Sequence, residues 1–246
     1  MAVEVNEGEE IPADDPAQGF DSTFTHYKVG RAFHISREML EDDLYNVMAG
    51  KPKALADGIR RKVEYDCATL FDNASNTTYF TGPDGVALGS SSHPREDGGA
   101  AQSNYTTSSL SESALEAGLI AMAEWLDGKG QKINVSPDLL IVPVEKDLEA
   151  RILLESAGRT GTTHTNEINP YYGRLDIFVY HWLTDADDWY LLARQPENFL
   201  KFIWRRKPTL ERDDQVSNEV ARWFTTARFS LGWTDWRCIY VAHASS

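Results

Sequence analysis

The stretch from Tyr27 to Phe71 constrains the fold more than any other. It opens with a strand-like alternation, Tyr27 to Ile35, which Ser36 interrupts, and Arg37 to Phe71 then carries a helical pattern. Ser36 predicts an N-cap, because its hydroxyl can take up a free backbone N–H of the first turn. Glu38, Glu41, Asp42 and Asp43 suit the positive end of the helix dipole. Leu44, Met48, Leu55, Ile59, Val63, Cys67 and Phe71 fall mostly four apart and form one apolar stripe. A helix of that length spans on the order of 40–50 Å. Pro52, shortly after Gly50, must either kink it or divide it into a short helix and a longer one. An extended arm feeding one dominant helix is a scaffold, not a pocket.

The segment before this scaffold is acidic and irregular. Residues 1–27 hold Glu4, Glu7, Glu9, Glu10, Asp14, Asp15 and Asp21 and no Lys or Arg, within a chain of net charge −14. That balance excludes nucleic-acid binding through phosphates unless a local basic patch overrides it. Pro12, Pro16, Gly8 and Gly19 break any helix here, and the alternation fits a loose hairpin, Val3–Val5 running out and Phe24–Ile35 returning. A two-stranded ribbon is marginal in water, so it needs a partner surface. The acidic stretch is either a solvated tail or an arm that orders against a neighbouring subunit.

After the long helix, Asp72 to Thr107 is polar and rich in Gly and Ser, which in a compact domain points to a functional or interfacial loop. His93, beside Arg95, Glu96 and Asp97, has no second His or Cys at ligand spacing and reads as part of an ordered surface loop. A second helix is expected from Ser111 to Gly130. A buried strand follows at Leu139–Val142, then a third helix from Glu145 to Ala157 with Leu148, Ile152 and Leu153 inward. Arg159 to Pro170 reads as another loop. Strand-like segments follow at Arg174–Tyr180, Trp189–Ala193, Phe199–Arg206 and Val220–Phe229, and Trp236–Ala242 closes the chain. In the Val220–Phe229 strand both faces are bulky, which predicts a ribbon covered on two sides. Cys67 and Cys238 are too few for a disulfide framework or a metal cage, no apolar run reaches the ~18 residues of a membrane span, and nothing resembles a signal peptide. No phosphate-binding loop, nucleophile elbow or zinc motif is present, so no catalytic, metal or cofactor residues are assigned.

Five motifs in order resemble the major capsid proteins of tailed bacteriophages, with the last four most similar to the Mu-like major head subunit branch. They are Glu7–Pro12 with Phe20 and Tyr27–Asp43; Phe71 through Thr81–Gly85 to His93–Gly99; Ser136–Pro143; Asp188–Leu192 with Phe202–Arg205 and Asp213–Asp214; and Arg228–Trp236. The resemblance implies an α+β phage major capsid fold with extended loop, long spine helix, peripheral domain and axial domain. It divides the chain into an N-terminal segment with extended loop (1–36), spine helix and first part of the peripheral domain (37–107), axial domain (108–197), peripheral strands (198–230) and a closing axial strand (231–246). It implies a homo-oligomer of pentamers and hexamers forming an icosahedral shell, with packaged double-stranded DNA held without sequence-specific contacts. It also implies portal, scaffold and decoration proteins as partners, no membrane, and residence in the virion after assembly in a bacterial cytoplasm. Relatives carry an N-terminal arm, and almost nothing precedes Val3 here. Some relatives tie subunits together through a lysine near the loop tip; this loop holds none before Lys28, so no such covalent network is expected.

The residues expected at subunit interfaces are Glu7, Glu9, Glu10, Asp14, Asp15, Phe20, Lys28, Arg205, Arg206 and Lys207; Arg205, Arg206 and Lys207 either pair with acidic neighbours across interfaces or form an ordinary solvated face. Two other classes compete. One is an encapsulin-like shell of the same fold around protein cargo. The other is a soluble enzyme whose site draws on His93, His164 and His181.

Overall fold

A computed structural model of the chain describes residues 19–45, 47–158, 168–194, 198–215 and 220–244. The alternation at Tyr27 becomes strand β1 (Tyr27–Ser36), and Ser36 caps helix α1 (Arg37–Glu41) by accepting the Met39 N–H at 3.3 Å. The helix does not run on to Phe71. Asp43 turns its carboxylate onto the N–H groups of Val47 and Met48 (2.9 and 2.8 Å), which supplies those donors outside a helix and divides the segment. A 3₁₀ turn, Met48–Gly50, then leads into α2 (Lys51–Asp72), with Pro52 in its first turn, where its missing N–H costs nothing. Of the expected stripe, Leu55, Ile59 and Phe71 are buried, whereas Leu44 is 89% exposed because it sits in the break.

Two sheets flank α2. The first is three-stranded, in the order β1-β7-β6, where β6 is Leu200–Gln215 and β7 is Val220–Trp233, all antiparallel. Strand β1 therefore finds its partner near the far end of the sequence; Val3–Val5, its expected partner, lies outside the described residues. The second sheet has five strands in the order β2-β8-β5-β3-β4: β2 (Tyr105–Thr106), β3 (Pro137–Val142), β4 (Asp176–Val179), β5 (Trp189–Ala193) and β8 (Ile239–Ala242). All five residues of the central β5 are buried, as a strand covered on both faces requires. Helix α3 (Glu112–Glu124) packs so closely on this sheet at Gly118 that an added Cβ would come within 2.9 Å of Leu191. It ends earlier than expected because Gln102 takes both backbone groups of Leu126 (2.7 and 3.0 Å). Helix α4 (Asp147–Glu155) buries Ala150 and Leu154, while Leu148 and Ile152, expected inward, are exposed. Both pairs have the same four-residue spacing, so periodicity alone could not choose between the two faces.

Three tyrosines fasten α2 to both sheets. Tyr27 of β1 donates to Asp66 at 2.8 Å, Tyr180 donates to the Glu64 carbonyl at 2.8 Å, and Tyr190 donates to the Phe71 carbonyl at 3.0 Å. The last bond adds a second donor to a carbonyl at the helix end that already accepts from the Ala74 N–H at 2.9 Å.

Segment 73–107 packs against the five-stranded sheet, its strand β2 pairing with β8. His93, expected on a surface loop, is fully buried. Its Nδ1 lies 2.6 Å from Asp84 Oδ2, its Nε2 lies 3.0 Å from Asn104 Oδ1, and its ring stacks on Trp236 with centroids 4.2 Å apart. The segment crosses β8 at Gly89, where a Cβ would stand 2.8 Å from that of Val241.

Near the end of α2, Asp188 is 2% exposed and accepts from the Ala244 N–H (3.1 Å) and the Tyr190 hydroxyl (3.4 Å), with His243 Nδ1 at 3.1 Å. Burial first, and the Asp185 charge second, push its carboxyl up to about 7. The folded chain then holds a proton that the unfolded chain has released above pH ~4. This contribution is greatest below that pH, falls as pH rises toward about 7, and is flat beyond. At about 1.4 kcal/mol per pH unit, the change is on the order of 4 kcal/mol. Asp188→Asn is expected to flatten the pH dependence of unfolding between about pH 4 and 7. An unchanged slope in denaturant titrations contradicts the assignment.

Candidate assembly surface

The three-stranded sheet has one face toward α2 and one that no described residue covers. On the helix side, Tyr27, Phe229 and Trp204 stand in register and their rings pack at 4.8 and 5.5 Å. On the open side, Lys28, Arg228 and Arg206 stand directly opposite one another across the three strands. Below this basic row, Gly30, Thr226 and Thr209 form the next, then Ala32, Phe224 and Glu211, then His34, Arg222 and Asp213. Arg206 donates to Thr226 at 2.7 Å, which holds its guanidinium on this face. Among the described residues, none of Lys28, Arg205, Arg206, Lys207 and Arg228 forms an ion pair. Like charges placed directly opposite destabilise a sheet by a few tenths to about 1 kcal/mol. An acidic partner laid over the row removes that penalty.

Strand β6 is an edge, and every residue from Phe202 to Asp213 is exposed. Register shifts between Trp204 and Arg206 and between Arg206 and Thr209, together with Pro208, blunt its capacity to add another strand. The face of β7 that was expected to be covered is thus open among the described residues. A shallow groove of about 550 Å³ runs over it, lined by Lys28, Gly30, Ala32, Asp213, Arg222, Phe224 and Thr226.

Of the residues singled out from sequence, the fold brings Lys28 and Arg206 together through Arg228, and sets Arg205 and Lys207 beside them on the edge strand. Phe20 lies ahead of β1 and is 46% exposed. Glu7, Glu9, Glu10, Asp14 and Asp15 lie outside the described residues. Sequence reasoning missed Arg228, whose place in the row depends on a register across two strands; its alternation with Thr226 and Phe224 was the available signal. It also missed the exposed apolar run Met39, Leu40, Leu44, Tyr45 and Val47, because a continuous helix would have hidden part of it.

Among the described residues, the histidines of the enzyme reading do not come together. The two ring nitrogens of His93 are occupied by Asp84 and Asn104, His181 is exposed on the turn after β4, and His164 lies outside the described residues. Among the described residues, no group of three or more His, Cys, Asp or Glu is placed to hold a metal ion. Burial pushes the Cys67 thiol up to about 11 and that of Cys238 up to about 12, so neither is a thiolate nucleophile at neutral pH. No helix among the described residues is long and apolar enough to cross a membrane.

Solved structures of similar fold include chains from phages and from a GTA particle. A chain of the bacteriophage JBD30 capsid superposes with a TM-score of 0.57 at 13% identity, over 72% of this chain and 80% of that one. A chain from the capsid of the native GTA particle gives 0.54 at 12% identity, over 97% and 82%. One from Gordonia phage Cozz gives 0.52 at 10% identity, over 100% and 84%. At these identities the likeness is one of fold. Comparison with curated proteins by sequence gives no match. The family comparison reaches further: residues 20–242, from just before β1 to the last residue of β8, match the phage capsid protein family, and the chain belongs to that family.

Proposed function

We propose that the chain is the major head subunit of a tailed bacteriophage, repeated in pentamers and hexamers to close an icosahedral shell around double-stranded DNA. The observation that carries this reading is the family match over residues 20–242. In this reading α2 is the spine of the subunit. The sheet β1-β7-β6 forms the peripheral domain and the five-stranded sheet with α3 and α4 the axial domain, which points toward the five- and six-fold centres. Residues 1–36 supply the extended loop, whose acidic stretch lies over a neighbour. The open basic row supports this arrangement, since seven acidic residues precede Lys28 in a chain that lacks any Lys or Arg before it. A net charge of −14 also suits a shell lining that repels DNA, so that the genome is packaged and released without sequence-specific contacts. The role is mechanical and needs no catalysis. Portal, scaffold and decoration proteins are the expected partners, and the virion the final location, after assembly in the host bacterium.

Negative-stain microscopy of the purified chain is expected to show shells of uniform diameter, and particles from infected cells to contain DNA. Particles filled with protein would favour the encapsulin-like alternative, which the family match does not. Arg206→Glu is expected to lower particle yield about tenfold, the effect of roughly 1.4 kcal/mol at each repeated contact; wild-type yield rejects the pairing. Denaturing electrophoresis of assembled particles should give a single subunit band, and a ladder of multimers would refute the absence of lysine-based cross-links.

A further inference from the structure

The break between α1 and α2 creates a feature that the shell reading alone does not explain. Helix α1 buries none of its residues, and over nine positions Met39, Leu40, Leu44, Tyr45 and Val47 are between 49% and 89% exposed. A single exposed Leu is ordinary on a protein surface; a contiguous group of this size marks a contact. The corner has a fixed shape, because the Asp43 carboxylate holds the turn through two backbone N–H groups and the Asp42 N–H closes α1 on the Glu38 carbonyl. Acidic residues rim it: Glu38, Glu41 and Asp42. Glu41 is paired with Arg37 at 2.9 Å, whereas the Asp42 side chain has no partner among the described residues.

Among the described residues, one other stretch has the complementary character. At the start of the edge strand β6, Phe202 and Trp204 pack on Phe229 on the helix side and Ile203 alternates with them. Each stays more than a third exposed at the edge, where the strand runs directly into Arg205, Arg206 and Lys207. Apolar area meets apolar area, and the charges beside it are of opposite sign. We propose that the acidic, apolar corner at 38–47 of one copy seats on the Phe202–Lys207 stretch of a second copy. The inference rests on the shell reading and specifies one of its contacts.

Register shows why the second copy is needed. The corner follows Ser36, which is paired with Val220 at one end of β7, whereas Trp204 is paired with Phe229, opposite Tyr27 at the other end. Ten residues of strand separate the two ends, on the order of 30 Å. The corner of a subunit therefore lies at the far end of the sheet from its own Phe202–Lys207 stretch. Because the two patches differ, the contact is head-to-tail, and such contacts close into rings or propagate as chains according to the rotation between copies. The acidic segment around Glu7–Asp15, which the shell reading lays over the Lys28–Arg228–Arg206 row, reaches the same strand, so Arg205 has two candidate occupants, and charge reversal separates them.

The test reverses Asp42 and Arg205, both exposed and neither in an ion pair among the described residues, and reads particle yield by sedimentation. Asp42→Lys and Arg205→Glu are each expected to lower yield about tenfold with the melting temperature of the subunit unchanged, and the double variant to recover wild-type yield to within about twofold. Single variants that assemble normally, or a double variant that stays as poor as the singles, overturn the contact. Rescue of Arg205→Glu by reversing Glu7, Glu9 and Glu10, but not by Asp42→Lys, also overturns it and assigns the basic stretch to the acidic segment. In both cases wild-type particles form and the shell reading stands. A wild-type chain that forms no particles contradicts that reading itself, and the inference with it.

Discussion

Replacing Asn104 with Leu is expected to destabilise the unassembled subunit by about 4–6 kcal/mol. The Asn104 side chain is fully buried and uses its whole bonding capacity. Its Nδ2 donates to the carbonyls of Leu88 (2.8 Å) and Ile239 (3.0 Å), and its Oδ1 accepts from the Ser90 N–H (2.9 Å) and from His93 Nε2 (3.0 Å). Two carbonyls facing Nδ2 fix which end of the carboxamide is oxygen, so His93 must donate through Nε2. The remaining ring nitrogen, Nδ1, lies 2.6 Å from Asp84 Oδ2. Leucine is close in volume but strands two carbonyls, one N–H and the imidazole. Each stranded group costs about 1–3 kcal/mol, and neighbours in one network do not add fully. Against the 5–15 kcal/mol typical of a domain, this is a large share, and the midpoint of thermal unfolding should fall on the order of 10–15 °C. A loss below about 1 kcal/mol would show that the segment 73–107 is not pinned through this residue.

Trp189→Ala is expected to cost about 3–5 kcal/mol. Trp189 has no exposed surface and lies on the central strand of the five-stranded sheet, between β3 and β8. Its ring centroid is 6.0 Å from that of Tyr240, and its Nε1 donates to the Ser108 carbonyl at 3.0 Å. Truncation leaves a void in a strand buried on both faces, where the surroundings have little room to collapse. Trp189→Phe separates the two contributions: it keeps most of the volume but strands the Ser108 carbonyl, at about 1–2 kcal/mol. Denaturant unfolding of the unassembled subunit should therefore rank wild type above Trp189→Phe and Trp189→Ala last. Equal midpoints for Trp189→Ala and wild type would contradict the packing.

What could be read from the sequence was local. Ser36 caps a helix, Trp189–Ala193 forms a strand with its expected limits, and Leu139–Val142 lies in a buried one, because each depends on residues adjacent in the chain. What could not be read depends on contacts at a distance. The break after α1 arises from a competing hydrogen-bond acceptor, Asp43, which resembles any other acidic first-turn residue until its carboxylate is seen on Val47 and Met48. His93 looked superficial because its neighbours are polar, yet a partner eleven residues away and a Trp near the other end of the chain enclose it. On the assembly surface, Lys28 and Arg206 were legible as charges, but the row they make with Arg228 follows only from a register joining residues about 200 positions apart.

Sedimentation velocity of the purified wild-type chain, over a wide range of concentration, tests the central claim most directly. The subunit exposes a basic sheet face and an apolar corner that a copy of itself is expected to cover, so large, uniform particles should appear at the expense of free subunits as concentration rises. A single monomeric species at every concentration, with residues 1–35 already protected from hydrogen exchange, would contradict it.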